Sequence, residues 1–146
     1  MTVEAKDLLQ FAKNCAGTQD EVTRRAAISR AYYACYHVFL AIVAQYPAVR
    51  PLDGHVTHRE IANRLDSWNV GANSPLKDLA RQAQRAAADY RVLVAARVEA
   101  DYKLDLPIFP GALIEHMKRS ERLIFQGLQL AHQIKKRTEP TPVVVE

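Results

Sequence analysis

Hydrophobic positions along this chain recur at steps of three and four residues, the spacing of helices that each bury one face. Ala5, Leu8, Leu9 and Ala12 predict a first helix, capped by Thr2, running to Cys15 or Ala16 and ended by Gly17. Asp20 opens a longer second helix, in which Ile28, Tyr32, Cys35, Phe39 and Ile42 form a seam against other helices. Pro47, Pro51 and Gly54 mark a loop. Thr57, with Glu60 three residues on, then fits the cap of a short third helix from His58 to about Trp68. A second loop, Asn69 to Ser74, ends in Ser74-Pro75, an N-cap followed by proline at the first helical position. The fourth helix is expected from Leu76 to about Tyr102, with an inner stripe of Leu76, Leu79, Ala83, Ala86, Tyr90, Leu93 and Val94. Leu106-Pro-Ile-Phe-Pro110 separates it from a fifth helix, about Ala112 to Lys136. That helix has Leu113, Met117, Ser120, Ile124, Leu128 and Ala131 inward, and its basic end Lys135-Lys136-Arg137 suits a helix C-terminus.

The fold class that follows is all-α, an up-and-down bundle of four to five helices joined by short connections. One domain is expected over residues 1–137, with a short disordered tail over 138–146. The length of 146 residues suits one domain, and 49% apolar with 25% charged residues is the globular balance. No window approaches 18 uncharged apolar residues, and no basic stretch leads into an apolar one at the start. The expectation is a cytoplasmic chain with no signal peptide, no membrane span and no membrane partner. A net charge of +4 permits an RNA or acidic partner without demanding one. Cys15 and Cys35, with no CxxC pair, read as reduced structural thiols. Arg85-Ala-Ala-Ala-Asp-Tyr90 and Arg97-Val-Glu-Ala-Asp-Tyr102 echo one another, but a twelve-residue offset is too short for a solenoid repeat.

Three groups of residues could carry chemistry. Arg30 and His37 are seven apart, which places them within about 20° on one helical face and roughly 10 Å apart along the axis. Tyr33 lies beside them. Such a stripe can hold a phosphate and move a proton near neutral pH. The structural alternative pairs Arg30 with a carboxylate such as Asp101 or Asp89 and makes His37 a packed helix residue. Arg97 and Asp101 are four apart, the spacing of an ion pair within a helix, with Tyr102 next to them. His55 and His58 are too few for a metal site, and capping or solvation suits them better. His116 and His132 read as lone surface or boundary histidines. No metal site, no cofactor site and no Ser-His-Asp set is evident.

Ser29-Arg-Ala-Tyr-Tyr-Ala-x-x-His37, then His58 opening a short helix, then Arg97-x-x-Ala-Asp-Tyr-x-Leu104 resembles the HEPN family, the higher eukaryotes and prokaryotes nucleotide-binding domain. The resemblance runs from about Ala5 to Leu130. It implies a helical bundle that forms homodimers, with the functional residues in the cleft between partners. Many members are metal-independent RNases with an arginine and a histidine four to six residues between. Others lack that motif and bind RNA, nucleotides or proteins. Several are toxins partnered by a nucleotidyltransferase antitoxin. Carried onto this chain, the resemblance implies Arg30, His37 and Arg97 as catalytic candidates, with Tyr33, Asp101 and Tyr102 lining the cleft. At Arg97-Val-Glu-Ala-Asp-Tyr102 a tyrosine stands where the RNases have histidine. Three readings stay open: a module binding RNA, a nucleotide or a partner protein within a toxin-antitoxin or defence system; a metal-independent endoribonuclease; and a structural dimerisation module.

Overall fold

The second helix is apolar on most of its surface, and such a helix has to be surrounded. In the computed structural model, which describes residues 2–45, 58–68 and 70–138, α2 (Glu21–Gln45) packs against all four other helices. These are α1 (Ala5–Asn14), α3 (His58–Asp66), α4 (Lys77–Tyr102) and α5 (Pro110–Thr138). No strand occurs among the described residues. The chain is an all-α bundle. The side chains give its sense: Arg25 reaches Ala100 and Tyr32 reaches Tyr90, so α2 and α4 run antiparallel. Arg119 meets Asp89 and Arg137 meets Asp78, so α4 and α5 do too.

Every seam residue expected on α2, from Ile28 to Ile42, is buried, and from Tyr32 onward they share one core with Trp68, Tyr90 and Leu123, while Ile28 joins a smaller core. That smaller core, with Ala12, Ala27, Ala31, Ala100 and Leu113, closes the other end. Both ends of a helix pair can approach closely only where side chains are small. At the α2–α5 crossing this role falls to Gly127, where an added Cβ would lie 2.8 Å from Val38 Cγ1 and 2.9 Å from Phe39 Cζ.

Several expectations need correcting. Leu128 is 58% exposed rather than inward. The buried arc of α5 instead runs through Leu123, Ile124, Gly127, Leu130 and Ile134. A four-residue step overshoots a full turn by about 40°, so the stripe drawn through Leu128 drifted off the face that meets α2. Thr2 does not cap α1. Glu4 occupies the N-cap, where its backbone N–H donates to the Asp7 carboxylate at 2.8 Å, and the helix begins at Ala5. Ser74 accepts from the Leu76 N–H in a turn just ahead of α4, so the helix itself starts at Lys77. Pro110 is the first residue of α5, the position where its missing N–H costs nothing. Thr138 belongs to that helix, whereas the rest of the expected tail lies outside the described residues, as do His55, Thr57 and the loop with Pro47, Pro51 and Gly54.

By length and composition α2 can cross a membrane: within Glu21–Ala44 an 18-residue window reaches a mean hydropathy of 1.3. However, 61% of that window is buried inside the bundle, the pattern of a core helix.

Candidate functional site

The site is organised by the Tyr33 ring. Both arginines singled out in the sequence come to it: the Arg30 guanidinium carbon lies 5.4 Å from the ring centroid and that of Arg97 lies 5.6 Å away. Arg97 also donates through Nη2 to the Tyr33 hydroxyl at 3.1 Å. The two motifs therefore share one site, although they stand on different helices.

Arg97 is held from several sides. Its Nε lies 3.0 Å from an Asp101 carboxylate oxygen without pointing at it, which makes this an ion pair rather than a linear hydrogen bond. Ser29 donates to the same Asp101 oxygen at 3.2 Å. Burial works against the Arg97 charge, but the Tyr33 hydroxyl and the nearby Tyr102 and Asp101 outweigh it, and its pKa stands above the ordinary value. The Arg97 guanidinium carbon also sits 5.3 Å from the Tyr102 ring, which is 68% exposed. Tyr102 thus offers solvent an aromatic face with a cation beside it. The echo motif shows how little a shared sequence means without register. Tyr90 is completely buried, because twelve residues turn the helix by about 120°.

Arg30 differs from Arg97. It is exposed, and among the described residues it has no carboxylate partner: Asp101 is taken by Arg97, and Asp89 by Arg119 at 3.4 Å. The suggested pairing of Arg30 with either carboxylate is absent. Arg30, Tyr33 and His37 line one groove of about 480 Å³ against Val3, Glu4 and Leu8 of the α1 end. Among the described residues Glu4 is the only acid on that wall, and it pairs with Lys6 at 3.3 Å. His37 is exposed, with its ring 5.2 Å from that of Tyr36.

Two features escaped the sequence reading. The first is the bonding of His58, which was anticipated as a cap or solvated residue and, in the resemblance, as the opening of a short helix. Its Nδ1 lies 2.5 Å from the Tyr32 hydroxyl, and its ring is 4.8 Å from Tyr36 and 5.7 Å from Tyr33. Burial and then Arg97 push its pKa below the ordinary histidine value. The second is Arg25. It donates to the carbonyls of Glu99, Ala100, Lys103 and Leu106, and so fastens the C-terminus of α4 on which Arg97, Asp101 and Tyr102 sit. A signal for Arg25 was present: it continues the Ile28-Tyr32-Cys35 seam one step back, where a charge is out of place.

Among the described residues no three His, Cys, Asp or Glu side chains gather as a metal site. A second groove of about 580 Å³, lined by Leu79, Phe125, Leu128, His132 and Arg137, holds none of the candidate site residues. His132 is exposed and His116 half-buried, as boundary residues are. No protein-family model matches this chain, and no curated protein or solved structure does either. The HEPN resemblance rests on the motif residues alone.

Proposed function

We propose that this chain is a HEPN-like, cytoplasmic RNA-binding module whose ligand lies across Arg30, Tyr33, Arg97 and Tyr102. The observation that carries this reading is Arg30: an exposed guanidinium with no carboxylate partner among the described residues, over the same tyrosine ring that a second arginine touches. Arg30 supplies a phosphate contact, which suits the forked guanidinium. Exposed Tyr102 supplies a platform for an unpaired base, as aromatic residues do in single-strand binders. Arg97 is already held by Asp101 and Tyr33, so it sets the geometry more than it adds charge.

The test is fluorescence anisotropy of a labelled single-stranded RNA, repeated over a salt series. Arg30→Ala is expected to weaken binding about tenfold and to lower the salt slope by about one. Wild-type protein that binds no RNA, or an Arg30→Ala variant with unchanged affinity, refutes the proposal.

A second reading draws on the shared groove of Arg30 and His37. In a metal-independent RNase His37 would take the proton of a ribose 2′-hydroxyl, and Arg30 and Arg97 would stabilise charge on the phosphorane. Cleavage of end-labelled RNA in EDTA that disappears in His37→Ala supports it, and an intact RNA at high protein concentration removes it. The resemblance extends both readings to a homodimer and to a nucleotidyltransferase partner, which light scattering and co-purification would test.

A further inference from the structure

We propose that His58 belongs to the ligand site, presented by α3 as an Nε2–H donor to a phosphate or ribose oxygen of the bound RNA. The inference rests on the RNA-binding reading above.

The argument is a count of donors. Tyr32 and Tyr90 are both buried, and their hydroxyls lie 3.0 Å apart. Tyr32 also meets His58 Nδ1, whereas Tyr90 has no other side-chain partner among the described residues. One arrangement satisfies all three groups: Tyr90 donates to Tyr32, and Tyr32 donates to Nδ1. His58 is then neutral, with its hydrogen on Nε2. In the opposite arrangement Nδ1–H donates to Tyr32, Tyr32 donates to Tyr90, and the Tyr90 O–H is buried without an acceptor. That loss is costly in an apolar core. Arg97 disfavours the protonated form further.

The groups facing His58 are Tyr32, Tyr33 and Tyr36 from α2 and Arg97 from α4, and on α3 Glu60 and Arg64 pair with each other at 3.7 Å. None of the four facing groups occupies Nε2 among the described residues. The ring stands against Tyr33, whose hydroxyl is bonded to Arg97. A donor there reaches the same strand that Arg30 and Tyr102 hold.

Two measurements test this. The first is the tautomer, read from long-range ¹⁵N–¹H spectra of the wild type at pH 7.5, with His58 assigned by its absence from the spectrum of a variant. Hydrogen on Nε2 is expected, and hydrogen on Nδ1 overturns the proposal. The second is RNA affinity by anisotropy. His58→Asn keeps an acceptor for Tyr32 and removes the Nε2 donor, so affinity is expected to fall about tenfold. His58→Gln places an amide N–H near the Nε2 position and is expected to recover most of it. Wild type that binds while His58→Asn binds equally well sinks this inference alone. Wild type that does not bind sinks the underlying reading and this inference with it.

Discussion

Arg25→Met tests how the site is fastened. Methionine keeps an apolar stem for packing and removes the guanidinium. Arg25 is 9% exposed and serves four carbonyls, two in the last turn of α4 and two in the connection to α5. A hydrogen bond from a charged donor is worth about 1.5–3 kcal/mol. The four are not additive, because one cation serves them all and the outer carbonyls regain water. A loss of about 3 kcal/mol is the reasonable net, or roughly 10 °C in Tm for a chain this size. Urea unfolding followed by circular dichroism at 222 nm gives the number from the shift in midpoint at unchanged slope. Hydrogen exchange adds the location, since the Lys103 and Leu106 amides bond within this segment and should exchange faster in the variant. A loss under about 1 kcal/mol, with unchanged exchange at both amides, would refute the claim that Arg25 fixes the α4 end.

Other predictions follow from single contacts. Gly127→Ala drives a methyl into Val38 and Phe39 and is expected to cost about 1–3 kcal/mol by urea unfolding, and an unchanged midpoint would mean the crossing is loose. In native protein at pH 8 a thiol reagent should modify Cys15 quickly and Cys35 only on unfolding, because Cys35 is fully buried and burial pushes its pKa up to about 12. His58 and His116 are both held below the ordinary 6.5 by burial. The unfolded chain therefore takes up protons first on acidification, and stability is full above pH 6.5 and falls below it. Thermal melts between pH 7.5 and 5 should show this slope, and a combined His58→Gln, His116→Gln variant should flatten it.

How much of this the sequence disclosed depended on whether neighbours along one helix were enough. The α2 seam was legible because burial repeats every third or fourth residue, and the Arg97–Asp101 pair because a four-residue spacing brings side chains together. Leu128 was misjudged because the buried face of α5, which includes Gly127, is set by its crossing with α2, and no single helix records that. His58 was undervalued for the same reason: its meaning comes from Tyr32 and Tyr90, on two other helices. That Arg30 and Arg97 meet on one ring was equally hidden, since the two are 67 residues apart.

The pairing of charges at that ring bears on what kind of partner fits. A purely structural dimer would use Arg30 and Asp101 as an ion pair across the interface. Asp101, however, is engaged within its own chain by Arg97 and Ser29. Taking it for a partner's Arg30 would strip Arg97, whose side chain is 12% exposed, of its carboxylate. An uncompensated, mostly buried arginine is costly. The cluster as built therefore holds one neutralised guanidinium and one open one, with an exposed aromatic ring alongside. Such a set wants an anion and a planar group together, which a nucleotide chain provides and an acidic side chain does not. RNA should consequently compete far better than poly-glutamate of equal charge for the Arg30 site, and equal competition would reduce the site to a generic cation.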